Sequence, residues 1–385
     1  MNFRWFTVLL LLVALAGGAS FVILQPVLAP AAAPIQTNAL AATPAATPTP
    51  TPLVHVLKAR TSASDFQAGV MILVWGNDPN FVTNIRLKLD YLARLRVNSV
   101  GMVFPIFQTN ARSTDVHADL KGTPSADQIT AFIREARQRG FTVMLRPLLE
   151  EGNLATSGDW RGSIHPQPVD AWFRAYGDLM VSYASLAEAN GAEVFDVGTE
   201  FNTLEPYGPQ WLDVIKRIRQ GYTGLLTYSS VSGNGYPIQF FRALDFLSID
   251  AYYGLDANAG ATVEQLQQAW GPGVAEVKSI ATGSGLPVVI TEVGTAARRA
   301  SFRAPSSSNP GLPLDLEAQR SYYAASCNAL GETVRGLYWW YMSPYVPQAP
   351  LTDPGFDPTG KPAEAEIAEC FRGLSSGAAP RGATR

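Results

Sequence analysis

From about residue 66 onward, short apolar segments alternate with longer segments in which apolar residues recur at helical spacing. This alternation is typical of a parallel β-sheet, because two parallel strands need a long crossover connection, usually a helix. There are eight apolar segments, at 68–76, 98–106, 142–149, 194–200, 224–230, 245–253, 286–294 and 336–342. Eight such units over roughly 310 residues predict an α/β fold of the closed (β/α)8 (TIM) barrel type.

An open, doubly wound sheet is the structural alternative. Such a sheet would be expected to have a glycine-rich phosphate loop after its first strand, and the sequence W-G-N-D-P at 75–79 does not have that form. The barrel is therefore the favoured fold.

Local patterns support the predicted helices. Ser125 followed by Gln128 is a capping-box pattern for a helix start, and Gly140 is suited to its end. The helix after the first strand should present one apolar face, formed by Ile85, Leu89, Leu92 and Leu95.

Two segments precede the barrel pattern. Residues 1–29 contain Arg4 and then about 20 mostly apolar residues, which fits either a secretory signal peptide or a retained membrane anchor. Residues 30–60, rich in Pro, Ala and Thr, predict an extended linker. We expect one folded domain at 61–375, a disordered tail at 376–385, and an extracellular location, secreted or anchored to the outer face of the cell membrane.

The composition argues against several function classes. A formal charge of −3 and a pI near 5.7 give no electrostatic footprint for nucleic acid, and no basic cluster indicates a membrane surface. Membrane contact is therefore expected only through the N-terminal segment. The three histidines are scattered and show no zinc-motif spacing, so we expect no metal and no other cofactor. Cys327 and Cys370 either form one disulfide between the last two helices or stay as buried thiols.

Two apolar segments contain matching Thr-Glu steps: V-F-D-V-G-T-E ends at Glu200, and L-P-V-V-I-T-E-V-G includes Glu292. In a barrel, both glutamates would emerge at the C-terminal edge of the strands, where active sites collect. Hydrolysis of a glycosidic bond needs a proton donor and, in retaining enzymes, a carboxylate nucleophile about 5–5.5 Å away. We therefore interpret Glu200 and Glu292 as the catalytic pair of a glycoside hydrolase. For either residue alone, an ordinary strand-end glutamate would be the better interpretation.

The ordered motifs G-T-E at 198–200, D-A-Y at 250–252, T-E-V-G at 291–294 and W-W at 339–340 resemble those of clan A retaining glycoside hydrolases. They are most similar to family 113, whose described members are β-1,4-mannanases. The sequences W-R-G-x-I at 160–164 and D-P-T-G-K-P-A at 357–363 also resemble that family, and the resemblance covers about 66–372. It implies that Glu200 is the general acid/base and Glu292 the nucleophile. Many clan A enzymes have Asn before the acid/base, but here that residue is Thr199, so Asn202 becomes a candidate contact to the sugar 2-hydroxyl.

Two further polar residues are candidates for the site. Tyr252 could donate its phenolic hydrogen to Glu292 and favour the ionised carboxylate, or it could pack against a neighbouring loop. Arg146 lies in an otherwise apolar segment and needs an anionic partner, which is either a catalytic carboxylate or a structural one.

Four tryptophans are candidate sugar platforms. Trp339 and Trp340 are neighbours on a strand and must point to opposite sides, so one can face the barrel mouth while the other packs under the helices. Alternation alone does not decide between them, and Trp340 is slightly favoured. Trp75 and Trp160 are further candidates, with ordinary packing as the alternative.

Together these features predict a monomeric, exported retaining enzyme that acts on a β-linked polysaccharide, with β-1,4-mannan or glucomannan as the first choice. A different clan A preference, for β-glucan or galactan, is one alternative. The other is a surface-tethered carbohydrate-binding barrel without activity, although a binding protein has no need of a paired acid and nucleophile.

Overall fold

The computed structural model describes residues 66–376, except for 234–235, 237 and 346–348. Eight parallel strands, each paired with the next and the last paired with the first, close into a barrel. Strands β1 to β8 are Gln67–Leu73, Ser99–Ile106, Thr142–Leu149, Val194–Thr199, Leu225–Val231, Leu247–Asp250, Val288–Val293 and Gly336–Met342. The predicted TIM barrel is therefore confirmed.

Helices surround the barrel and connect its strands. Helices α1 to α9 are Phe81–Arg94, Ala126–Gln138, Gly152–Ala155, Val169–Asn190, Gly208–Arg219, Val263–Ala269, Gly271–Ser284, Leu316–Leu330 and Pro362–Ser376. Short 3-10 turns occur at Arg161–Ser163, Phe241–Ala243, Ser301–Arg303 and Pro350–Thr352. Within the described ranges, no helix is both long enough and apolar enough to span a bilayer.

The local helix predictions are confirmed. The Ser125 side chain accepts a hydrogen bond from Gln128 N, and the Gln128 side chain accepts one from Ser125 N, which completes the capping box of α2. Just past its end, Gly140 adopts a left-handed φ of 82°, which glycine tolerates at no steric cost. In α1, Ile85, Leu89 and Leu92 are fully buried, whereas Leu95, expected on the same face, follows the last residue of the helix and packs half-buried against the core.

The sixth strand is shorter than the segment 245–253 predicts. Ahead of it, Asp245 donates its backbone N–H to Leu226 O at 2.9 Å, but the return bond from Leu226 N goes to the Asp245 side chain at 2.7 Å. Beyond Asp250, the backbone N–H of Tyr252 donates a hydrogen bond to the Ser232 hydroxyl at 3.1 Å. Apolar residues therefore extend past the regular strand at both ends.

Two apolar layers hold the fold together. The larger layer packs the outer side of the barrel against the helices, and the smaller one fills the barrel interior. The interior layer consists of Met71, Val103, Met144, Leu148, Val194, Phe246, Val289 and Tyr338. Apart from Leu148, near the C-terminal end of β3, these side chains occupy the lower part of the barrel, so the C-terminal ends of the strands are left mainly for polar residues.

The C-terminal region fastens the barrel at the contact between its first and last strands. Lys88, buried in α1, donates a hydrogen bond of 3.1 Å to Thr359, and Tyr91 donates one to Glu364 in α9. Cys327 in α8 and Cys370 in α9 form a disulfide with a Cα–Cα distance of 5.8 Å. Helix α9 reaches Ser376, one residue into the expected tail. The rest of that tail, the expected signal or anchor, and the expected linker all lie outside the described residues.

Candidate active site

Glu200 is the first residue after β4 and marks the point where the chain leaves the barrel. Its φ of 57° lies in the left-handed region, which is rare for glutamate. The backbone on either side is held: Glu200 N donates to Ser229 O at 2.8 Å, and Phe201 N donates to the Tyr228 hydroxyl at 2.9 Å. Tyr228 in turn donates to the buried Glu205 at 3.2 Å. These bonds offset an unfavourable backbone conformation and fix the direction of the Glu200 side chain.

Glu292 is the second-last residue of β7 and is 4% exposed. Its Oε2 accepts a hydrogen bond of 2.6 Å from the Tyr252 hydroxyl. Its Oε1 lies 2.7 Å from Nη2 of Arg146, as an ion pair without a directed hydrogen bond. Both oxygens of Glu292 therefore face a donor, an environment that favours the ionised form.

Arg146 is a fully buried cation at the centre of the barrel mouth. Besides Glu292, it pairs with Asp250 at 2.8 Å and with Asp196 at 3.3 Å. It also donates to the Thr199 hydroxyl at 3.2 Å. The sequence left open whether Arg146 pairs with a catalytic or a structural carboxylate, and the structure shows that it pairs with the candidate nucleophile Glu292 and with two aspartates.

A chain of buried hydroxyls connects Asp196 to Asp250 on the other side of Arg146. Ser229 Oγ lies 2.6 Å from Asp196 Oδ2, the Ser229 and Thr291 hydroxyls are 3.1 Å apart, and Thr291 donates to Asp250 Oδ1 at 2.9 Å. If both aspartates are ionised, the hydroxyls of Ser229 and Thr291 supply only two protons for these three oxygen–oxygen contacts, and one contact has none. One additional proton on either aspartate satisfies all three contacts.

A second cation, Arg161, faces Glu200. It lies in the 3-10 turn after α3, and its Nη1 donates to Glu200 Oε2 at 2.9 Å. Its Nη2 pairs with Glu151 Oε1 at 3.1 Å, and its Nε donates to Leu149 O at 3.2 Å. The side chains of Arg161, Glu151 and Glu200 are each about nine-tenths buried.

The site contains more carboxyl groups than cations, which shifts its protonation equilibria. Burial raises the pKa of Glu200 to about 7 and that of Asp196 to about 6, against the opposing charges of Arg161 and Arg146 respectively. Burial also raises the pKa of Asp250. For Glu292, burial and the Asp250 charge raise the pKa, while Arg146 and the Tyr252 hydroxyl oppose that rise. The site therefore retains protons at pH values at which exposed carboxyl groups are ionised.

The structure places Trp339 and Trp340 on opposite sides of β8. Trp339 is fully buried and stacks on Tyr323 of α8 with a centroid distance of 4.3 Å. Trp340 is half-buried, packs against the interior layer of the barrel, and has the Arg146 guanidinium 5.9 Å from its ring centroid. Trp340 is thus the member of the pair that faces the carboxyl cluster.

The remaining sequence candidates lie around this mouth. Trp75 follows β1, is 36% exposed, and lines a pocket of about 240 Å³ together with Tyr341 and Tyr345. Trp160 packs over Gly162 beside the turn that contains Arg161. Asn202 lies two residues after Glu200, and its buried Oδ1 has no hydrogen-bond partner within the described part of the chain. In that same part, no group of His, Cys, Asp and Glu side chains is arranged to hold a metal ion.

Sequence reasoning missed the contact of Arg161 with Glu200 and the pairing of Glu151 with Arg161. Arg161 belongs to the W-R-G-x-I motif, which was noted only as a resemblance, and Glu151 lies in a loop without periodicity. The Asp196 contact to Arg146 had a signal in the sequence, since an acid inside the apolar segment V-F-D-V-G needs a partner in the same way as Arg146 does.

The comparisons with known proteins agree with this geometry. The sequence matches the model of Glycoside Hydrolase Family 113 over residues 82–361, more than half of the chain. A search of curated protein sequences finds no match. Among solved structures, the family 113 β-mannanase of Alicyclobacillus acidocaldarius, in complex with ManMIm, has a TM-score of 0.73 and 27% identity, covering 81% of this chain and 100% of that one.

Two more distant structures share the fold. A family 113 β-1,4-mannanase complex has a TM-score of 0.72 and 22% identity, covering 80% of this chain and 99% of that one. A family 5 glycoside hydrolase from Streptomyces cattleya, in complex with Manβ1-4GlcNAc, has a TM-score of 0.53 and 16% identity, covering 82% and 83%. With the family match extending from α1 to the segment before α9, the chain belongs to glycoside hydrolase family 113 and is a glycoside hydrolase.

Proposed function

We propose that this chain is a retaining β-glycanase that hydrolyses β-1,4-linked mannan or glucomannan, with Glu292 as nucleophile and Glu200 as general acid/base. The proposal rests above all on the different surroundings of the two carboxyl groups. Glu292 has a cation at one oxygen and a phenolic donor at the other. Glu200 has a cation at Oε2 and, among the described residues, no donor paired with Oε1.

The surroundings of Glu292 suit a nucleophile. Tyr252 occupies Oε2, while Oε1 accepts no directed hydrogen bond and so keeps a lone pair for attack on an anomeric carbon. The Arg146 charge, 2.7 Å from that oxygen, compensates for the burial of a negative charge. An inverting enzyme would instead use this residue to activate a water molecule and would need space for it.

The surroundings of Glu200 suit a general acid that later becomes a base. Its pKa near 7 means that its neutral and ionised forms are both populated close to neutral pH. In the reactive form, the pair contains one proton, and the donors around Glu292 direct that proton to Glu200.

Two displacements complete the reaction. In the first, Glu292 Oε1 bonds to the anomeric carbon, the glycosidic C–O bond breaks, and Glu200 gives its proton to the leaving oxygen. In the second, Glu200 takes a proton from water, the resulting hydroxide bonds to the anomeric carbon, and the bond to Glu292 breaks. Each carboxyl group returns to its starting state, and the sugar keeps its β configuration.

One observation supports mannan as the substrate, and a second supports sugar binding in general. The family 113 structure with 27% identity is a β-mannanase, and its likeness extends over its whole length. Trp340 and Trp75 offer apolar faces at the mouth, as sugar rings require. We further propose that the enzyme acts outside the cytoplasm, because its N-terminal sequence has the composition of an export segment and because a disulfide persists in an oxidising compartment.

The test is reducing-sugar release by residues 54–385 from mannan, glucomannan, xylan, β-glucan and galactan, with the variants Glu292→Ala and Glu200→Ala alongside. We expect activity on mannan or glucomannan that is lost in both variants, and first-formed products in the β configuration by NMR. Azide should restore turnover of an activated aryl mannoside in Glu200→Ala, because a small anion can replace the base in the second displacement.

The other outcomes are equally informative. Activity on β-glucan or galactan alone would preserve the mechanism and replace the substrate. First-formed products in the α configuration would rule out the covalent step. A folded wild-type protein that releases no sugar from any polymer would contradict the proposal and favour a carbohydrate-binding barrel.

A further inference from the structure

We propose that Arg161 and Glu151 are positioning residues for Glu200, forming a charge pair that orients its carboxyl group and sets the balance between its neutral and ionised forms. This inference rests on the proposed role of Glu200 as the acid/base. It adds two residues whose ion pairs lie outside the Arg146 cluster.

The geometry joins the three side chains in a row. Arg161 uses Nη1 for Glu200 and Nη2 for Glu151, at 2.9 and 3.1 Å, so one guanidinium bridges both carboxyl groups. Its Nε is bonded to Leu149 O at the end of β3, which fixes the plane of the guanidinium. Glu151 also accepts the backbone N–H of Arg161 at 3.3 Å. The backbone N–H, Nε and Nη2 of Arg161 therefore all have partners that hold its Nη1 towards Glu200.

The loop that contains Arg161 is attached to the loop that contains Glu200. Thr203, three residues after Glu200, donates its N–H to Gly162 O at 3.2 Å and its hydroxyl to Ile164 O. The Trp160 ring covers Gly162 so closely that a Cβ there would lie 2.4 Å from it. The two loops thus hold each other in place, and the distance between Arg161 and Glu200 does not depend on the side chains alone.

The charges alternate along Glu151, Arg161 and Glu200, so Glu151 and Arg161 have opposite effects on the ionisation of Glu200. Arg161 stabilises a negative charge on Glu200, whereas Glu151 offsets part of the Arg161 charge and disfavours that negative charge. The other charged or titratable groups whose fields reach Glu200 come from β3, β6 and β7, and are Arg146, Asp250, Tyr252 and Glu292. The Arg161 charge also reaches Glu292 and Asp250, but its ion pairs are with Glu200 and Glu151.

A retaining enzyme needs this balance because Glu200 must be neutral before the first displacement and ionised before the second. An Arg without its acid would hold Glu200 ionised and remove the proton donor. Without the Arg, Glu200 would stay protonated and could not activate water. The pair therefore sets the pH range in which both half-reactions proceed.

The experiment measures the Glu200 pKa in the free enzyme by carbon-13 NMR of labelled glutamate, with Glu200→Gln identifying its signal. It is combined with the pH dependence of kcat/KM on the polymer that the wild type cleaves. Glu151→Gln should lower the Glu200 pKa by about one unit and move the alkaline limb to lower pH. Arg161→Gln should raise it by about one unit and move that limb to higher pH. Arg161→Lys keeps the positive charge but loses the planar guanidinium that bonds both carboxylates. It should leave the alkaline limb of the pH profile nearly unchanged and lower kcat about tenfold.

The matched control is Arg137→Gln. Arg137 pairs with Glu193 at 2.7 Å and has similar burial, but this pair lies at the start of β4, the opposite end of the strand that leads to Glu200. Its loss should lower stability without moving the Glu200 pKa or the pH profile. If Arg161→Gln does not fold, the sign of the Glu151→Gln shift decides alone.

Shifts of the same sign in Glu151→Gln and Arg161→Gln, or no shift in folded variants, would overturn the role in protonation. Full kcat in Arg161→Lys would overturn the role in orientation. The NMR titration needs no substrate, so a wild type that fails to cleave mannan would contradict the proposed substrate and still leave this test decisive.

Discussion

The phenolic oxygen of Tyr252, a half-buried residue, lies 2.6 Å from Oε2 of the buried Glu292. Tyr252 reaches this position because the chain turns immediately after β6, where its backbone N–H bonds to Ser232 instead of continuing the sheet. The short sixth strand thus brings a neutral donor to a carboxylate that Arg146 contacts from the other side.

Tyr252→Phe should lower kcat by about 10- to 100-fold, because a hydrogen bond to a charged group contributes about 1.5–3 kcal/mol. KM should change little, since in the proposed mechanism the hydroxyl acts on Glu292 and not on the bound polymer. Steady-state kinetics on the best polymer checks this. Tyr176→Phe is the control, because the Tyr176 hydroxyl donates to Val197 O under α4, away from the site. Equal kinetic effects in the two variants would contradict the assignment.

Replacement of the two neighbouring tryptophans should give opposite results. Trp340→Ala should lower kcat/KM about tenfold with little loss of stability, because a half-buried ring facing the site stacks on sugar. Trp339→Phe should leave kcat/KM nearly unchanged and lower the free energy of unfolding by about 2 kcal/mol, because it fills the layer against Tyr323. Kinetics and urea unfolding of both variants provide the check, and a kinetic loss in Trp339→Phe alone would reverse the assignment.

Asp196 should make stability depend on pH. Its pKa is raised from 3.8 to about 6 in the folded protein, so the folded state binds this proton more tightly than the unfolded chain does. Its contribution is therefore full below about pH 4 and is lost as the pH rises through about 6, a change of about 3 kcal/mol. Asp196→Asn keeps a neutral group that can donate to Ser229, so between pH 4 and 7 its free energy of unfolding should fall by about 3 kcal/mol less than that of the wild type.

Urea unfolding at both pH values measures this difference. Asp178→Asn, at a side chain that is 74% exposed, serves as the control and should follow the wild type. Parallel pH dependence of the wild type and Asp196→Asn would show that Asp196 is ionised throughout and that the extra proton of the hydroxyl chain lies elsewhere.

The disulfide should contribute stability but not activity. Cys327 lies in the last turn of α8, which leads to the start of β8, the edge opposite Glu200. The bond spans 43 residues, and such a constraint on the unfolded chain corresponds to about 4 kcal/mol in the chain-entropy model. Replacing both cysteines by alanine should lower the free energy of unfolding by about 2–4 kcal/mol with kcat unchanged at 25 °C. A lower kcat in the folded variant would refute this separation.

The barrel and its two strand-end glutamates were predictable from the sequence because they follow from periodicity. Buried parallel strands are short apolar segments, and Glu200 and Glu292 stand where two of them end. The capping box at Ser125 was predictable for the same reason, since its bonds join residues only three positions apart.

The orientation of Trp340 and the role of Arg161 were not predictable in this way. Alternation places Trp339 and Trp340 on opposite faces, but the inward face is set by the register of β8 against β1 and β7, which shifts near the strand ends. Arg161 reaches Glu200 from a loop, across 39 residues of sequence, and no period relates two such positions. Long-range loop contacts require the folded coordinates.

The bond between Lys88 and Thr359 joins residues 271 positions apart, and β1 pairs with β8 over a similar separation. During translation, β1 emerges from the ribosome early, yet one of its edges stays unpaired until the final strand follows. The buried charge of Lys88 likewise has its acidic neighbours, Asp357 and Glu364, in the C-terminal segment. Catalytic activity therefore cannot build up gradually as the chain grows. Until β8 pairs with β1, the growing chain is an open sheet with an unpaired strand edge.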